Sequence, residues 1–195
     1  MQRLLRQLDY PIVLALFLTG AAFLLKMCYL RLVPCTLAGA AWLAAVYLYL
    51  RARYDVRLPA GLLLLVFAAV EVDALGNYFR LYGRAFGPLQ YDEFAHMLVQ
   101  ALVTPLLVWL LGRALAYAGL SVPLGFTVAF ALTLVFSLSA FYEIVELWDE
   151  LYFGGRRIWG PYDAPNDLQW DLLGIICGSL LAYALLKTRP RRALA

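Results

Sequence analysis

Histidine and cysteine are nearly missing from this sequence of 195 residues, and charge is scarce. His96 is the only histidine. The three cysteines, Cys28, Cys35 and Cys177, have no C-x-x-C spacing and lie in or beside apolar runs. That placement marks small buried hydrophobes and argues against a redox pair or a thiolate zinc site. G-x-S-x-G, H-E-x-x-H and a phosphate-loop lysine are also lacking, which removes several common hydrolase and nucleotide-binding signatures. Charged residues make up only 15% of the chain, against about a quarter in soluble domains. With 64% hydrophobic residues, a soluble globular domain, a disordered chain and a secreted disulfide scaffold are excluded. The net charge of +3 bears on membrane orientation and gives no reason to expect a nucleic-acid partner.

What is present is a series of apolar runs separated by charges. Six runs are long enough to span a bilayer as helices: Ile12 to Leu30, Leu32 to Leu50, Leu58 to Leu75, Phe94 to Leu111, Leu124 to Tyr142, and Asp167 to Leu186. The expected fold is therefore an all-α membrane protein, a single polytopic domain of about six transmembrane helices. Arg3 and Arg6 before the first run imitate a signal peptide, but no small-residue cleavage site follows and the run reads as a retained span. Ala114 to Pro123 and Leu147 to Asn166 read as loops. Ten of the sixteen Lys and Arg residues fall on the side of the termini, which places both termini in the cytoplasm.

The acids divide far more sharply. Only Asp9 and Asp55 lie on the cytoplasmic side of this topology, and the other eleven of thirteen gather at the outer end. Among them, Asp92 and His96 (i,i+4), Glu143 and Glu146 (i,i+3), and Asp167 and Asp171 (i,i+4) each share a helix face. The directions of their three spans bring all three pairs to one membrane level. Only fifteen residues follow Asp171 before the end of its span, so that helix must include Asp171 to cross the bilayer. Carboxylates at that depth face a bundle interior or water and need a partner.

Five carboxylates around one imidazole repel one another unless protons, arginines or a cation relieve them. An oxygen-rich set with one histidine suits a divalent ion such as Zn, Mn, Mg or Fe. The expected ligands are Asp92, His96, Glu143, Glu146, Asp167 and Asp171, with Glu143 and Asp171 also taken as catalytic. Asp92 could instead orient the His96 ring from behind. Arg156 and Arg157, in the longest loop, are candidates for an anionic head group, or else snorkel beside Trp159 and Tyr162 in an aromatic belt. Ser137 and Ser139 read as helix-packing residues, and Glu93, Asp149 and Glu150 as solvated.

The segments YDEFAH (Tyr91 to His96), SAFYEIVELW (Ser139 to Trp148) and DLQWDLLG (Asp167 to Gly174) resemble, in order, the motifs of the YjdF-like family of bacterial inner-membrane proteins. More distantly, the spacing is similar to that of VanZ-like membrane proteins. The resemblance covers about Leu58 to Leu186 and implies that Asp92, His96, Glu143, Glu146, Asp167, Gln169, Trp170 and Asp171 occupy shared polar positions. Gln169 thereby joins the candidate substrate-binding residues. This chain has Asn77 where that family often has histidine, and Glu93 where it usually has arginine. The resulting expectation is a metal-dependent hydrolase or transferase acting on a lipid-linked or envelope substrate beside membrane lipid. The alternative is a cation- or proton-binding protein, a transporter or a structural envelope partner.

Overall fold

The computed structural model describes residues 41, 44, 45, 47–55, 57–155 and 158–187. The expected first span, and most of the second, lie outside the described residues, as do Arg156 and Arg157. Helical backbone at 47–54 leads into α1 (Ala60–Tyr78), a small hairpin of β1 (Ala85–Phe86) and β2 (Leu89–Gln90), and then α2 (Tyr91–Tyr117), α3 (Leu124–Phe153) and α4 (Asp163–Lys187). The hairpin departs from the all-helical expectation. It turns at Gly87-Pro88, where Gly87 has φ +66°, a conformation that favours glycine. Three of the helices, α2, α3 and α4, are long and apolar enough to cross a membrane.

Both expected loops are shorter than the sequence suggests. The stretch 147–166 is not one long loop, because α3 continues to Phe153. It stops at Gly154, whose φ of +72° lets the next N–H, that of Gly155, return to the Asp149 carbonyl at 3.1 Å. At the other end of the connection α4 starts four residues before Asp167, with Pro165 in its first turn, where a missing N–H costs no helical hydrogen bond. The helix α2 likewise runs to Tyr117 and takes in part of the expected loop from Ala114.

Among the described helices, α2 and α4 pack most closely, and glycine makes it possible. Buried positions on α4 recur at Asp167, Asp171, Gly174, Gly178, Ala182 and Leu186, one continuous face. A Cβ at Gly174 would run into the Met97 carbonyl, and one at Gly178 would lie 2.7 Å from the Ala101 oxygen and 2.7 Å from Thr104 Cβ. Such small-residue pairs four apart let membrane helices touch backbone to backbone. Pro105 removes the N–H that would bond the Ala101 carbonyl within α2, and that carbonyl faces Gly178. Against the same face α3 places Ala131, Val135, Ser139, Glu143 and Glu146.

Away from the acidic end the interior is mostly apolar, with Thr104, Thr127 and Ser179 as buried hydroxyls. Leu106, Val108, Trp109, Leu110, Ala131, Val135, Ile175, Ala182 and Leu186 are buried together there. At that end basic groups lie over aromatic rings, Arg113 on Trp109 and Lys187 on Tyr183, as expected near a membrane surface. His96 stands 17 residues from Arg113 and Asp171 stands 16 from Lys187. At 1.5 Å per residue these are separations of about 26 and 24 Å, comparable to the thickness of a bilayer core, about 30 Å.

Candidate functional site

The entry to α2 sets the first part of the site. Gln90 precedes the helix and its N–H is taken by the Glu93 carboxylate at 2.9 Å, while the other Glu93 oxygen accepts from Asn166 Nδ2 on α4 at 3.2 Å. Glu93 thus fastens the first turns of α2 and α4 together rather than standing in solvent. One turn on, His96 enters the space between the two helices.

Asp171, 1% exposed, is the residue that holds the His96 ring. Its Oδ1 lies 2.9 Å from His96 Nδ1, and its Oδ2 accepts the hydroxyl hydrogen of Ser139 from α3. With the carboxylate ionised, Nδ1–H is the donor, and the lone pair of the neutral ring sits on Nε2. That nitrogen faces two further carboxylates, Asp92 Oδ1 and Asp167 Oδ2, each at 3.7 Å. Both distances exceed hydrogen-bond range.

The glutamates complete the group from the side of α3. Glu143 and Glu146 are 8% and 5% exposed and Asp167 is 2% exposed. The donor atoms fall into three overlapping sets, each within 4.8 Å: Asp92, His96 and Asp167; His96, Glu143 and Asp171; and Glu143, Glu146 and Asp167. Oδ1 of Asp167 is buried with no hydrogen-bond partner. Burial of this many acids in one place is unfavourable without compensating charge.

The structure therefore brings together all six residues expected to form one polar centre. It does not bring Gln169 there: that side chain is exposed, two residues and about 200° around α4 from Asp167. Ser139 was read as a packing residue, yet it contributes a hydrogen bond at the centre of the site. Its spacing of four from Glu143 places it on the acidic face of α3, which was the available signal.

A tyrosine layer adjoins this centre. Tyr82 donates to Asp73 of α1 at 2.5 Å, and Tyr91 donates to the Val72 carbonyl at 2.6 Å. Their rings meet edge to face at 5.2 Å. They fit because residue 76 is glycine; a Cβ there would penetrate the Tyr91 ring and come within 2.9 Å of Tyr82. Burial pushes the Tyr82 phenol far above its ordinary value of 10, and the Asp73 carboxylate beside it adds to the shift. Asp73 is thereby drawn into a hydrogen bond on the loop side of α1.

The chain belongs to the DUF2238 family of predicted membrane proteins, whose pattern it matches over residues 11–192. No curated protein and no solved structure matches it.

Proposed function

We propose that this membrane protein binds a divalent metal ion through Asp92, His96 and Asp167 and uses it for hydrolysis or group transfer. The substrate would be a lipid-linked or envelope ester, amide or phosphoester reached from the outer face of a bacterial inner membrane. The observation that carries the reading is the His96 ring. One nitrogen is held by a buried carboxylate, and the other is turned toward two acids at 3.7 Å. Donors about 2.0–2.2 Å from a metal ion stand roughly 3–4 Å from one another, whereas hydrogen-bonded pairs stand closer.

In this reading Asp171, first taken as a ligand and catalytic group, is a positioning residue: both its oxygens already accept hydrogen bonds. It fixes the tautomer that exposes Nε2 and raises the basicity of the ring. Glu143, whose donor atom lies within 4.8 Å of those of His96 and Asp171, is placed to take a proton from a metal-activated water. The similarity of the three motifs to YjdF-like sequences supports one shared centre, and the six apolar runs with the Lys/Arg distribution support a bundle of about six spans with cytoplasmic termini.

The apolar interior beyond the site supports a one-sided reaction centre over a through-path for transport. Among the described residues the buried hydroxyls there are few: Thr104 and Thr127 donate to carbonyls of Gln100 and Pro123 close by in sequence, and Ser179 Oγ is buried with no hydrogen-bond partner. The test is elemental analysis of detergent-purified protein beside His96→Ala. Stoichiometric divalent metal in the parent and its loss in the variant are expected. A metal-free parent whose thermal stability ignores added Zn or Mn would refute the proposal. Loaded protein is then assayed on lipid-linked phosphoesters, with turnover expected to disappear in Glu143→Gln.

A further inference from the structure

The donor sets do not converge on one point. Asp92, His96 and Asp167 form one group and Glu143, Glu146 and Asp167 form another; these two share only Asp167, and a third set of His96, Glu143 and Asp171 overlaps both. Its two oxygens differ. Oδ2 is the one turned toward His96 Nε2, whereas Oδ1 is buried and has no hydrogen-bond partner. A buried carboxylate oxygen left without a donor is costly, and a cation is a partner that this acid-rich neighbourhood can accommodate.

We propose that the centre holds two divalent cations, with Asp167 bridging them: the first on Asp92 and His96, the second on Glu143 and Glu146. This rests on the metal reading given above and extends it from one ion to a pair. Carboxylate bridges join metal ions about 3.5–4 Å apart in enzymes that act on phosphoesters and peptides. The charge count agrees. Asp92, Glu143, Glu146, Asp167 and Asp171 exceed what a single divalent ion balances, and a second ion removes most of the remainder. The chemistry of the donors also differs between the two positions. The first has the one imidazole and suits Zn, Mn or Fe, while the second is built from oxygen alone and suits Mn or Mg.

A paired centre narrows the substrate class to groups whose attacking and leaving oxygens both carry charge in the transition state, above all phosphoesters. Glu143, engaging the second ion through one oxygen, would take through its other oxygen the proton of the water oriented by the first ion, and the second ion would stabilise the departing oxygen.

The experiment is a Mn2+ titration of the metal-stripped full chain in detergent, followed by electron paramagnetic resonance. Two equivalents bound per chain are expected, with the isolated six-line Mn2+ signal replaced by the broadened spectrum of an exchange-coupled pair. Glu146→Gln should bind one equivalent and recover the uncoupled six-line spectrum. Glu143→Gln provides the same comparison if Glu146→Gln does not fold. One equivalent in the parent, unchanged in Glu146→Gln, would overturn the pair and leave the single-ion reading standing. Two equivalents that never couple would overturn the Asp167 bridge. No bound Mn2+ in the parent would remove both readings together.

Discussion

Asp171→Asn separates a residue that positions the histidine from one that binds metal. The substitution keeps the size of the side chain and one carbonyl oxygen, and removes the negative charge that accepts from His96 Nδ1 at 2.9 Å and from Ser139. Asp171 is 1% exposed, so water does not replace what is lost. A hydrogen bond to a charged group contributes about 1.5–3 kcal/mol. The asparagine oxygen can still accept from Nδ1–H, so part of this is retained. Loss of an outer partner of a metal-bound histidine typically lowers affinity about 10–100-fold, or roughly 1.4–2.7 kcal/mol. The assay is competition against a chelator of known affinity, comparing the parent with Asp171→Asn, Ser139→Ala and His96→Ala. Asp171→Asn should weaken binding within that range and Ser139→Ala should weaken it less, while His96→Ala abolishes tight binding. Unchanged affinity in Asp171→Asn would refute the positioning role. A loss as complete as that of His96→Ala would make Asp171 a ligand.

The seat of α4 on α2 predicts that Gly174→Ala and Gly178→Ala lower thermal stability in detergent by about 1–3 kcal/mol each, the usual cost of forcing a methyl into a packed contact. Gly61→Ala, where an added Cβ meets nothing within 4 Å, should be neutral or slightly stabilising and serves as the control. A neutral Gly174→Ala would contradict the close approach. Tyr82 predicts a pH effect. Its folded-state value is raised, so its contribution is complete below about pH 10 and declines as pH rises above that, because the unfolded chain loses the phenolic proton first. The parent should therefore lose stability above about pH 10 more steeply than Tyr82→Phe, as read by thermal melts across pH 8–11. Parallel curves would refute it.

The three polar pairs were legible because helix periodicity and span direction are local properties of the sequence. Each pair lies on a single helix, and the alternation of spans carries all three to one end. What joins them across helices was not legible in the same way. Spacing pointed to Asp92, four residues from His96, as the partner that could orient the ring, whereas the contact at 2.9 Å comes from Asp171, 75 residues away. That pairing depends on how far α4 slides along α2, which is set by Gly174 and Gly178 meeting the carbonyls of Met97 and Ala101. Glu93 and Glu150 looked solvated because they are charged and near helix ends. In the fold Glu93 accepts from Gln90 and Asn166, and Glu150 accepts the Ile158 N–H at 3.2 Å. The loop expected from Leu147 begins later, because the operative stop of α3 is the left-handed Gly154.

X-ray absorption at the metal edge of protein purified without added chelator tests the central claim most directly. A metal ion in a shell of oxygen donors at about 2.0–2.2 Å, with a single imidazole whose scattering vanishes in His96→Ala, is the predicted result. An absent metal edge, a sulfur shell, or a metal spectrum indifferent to His96→Ala would contradict it.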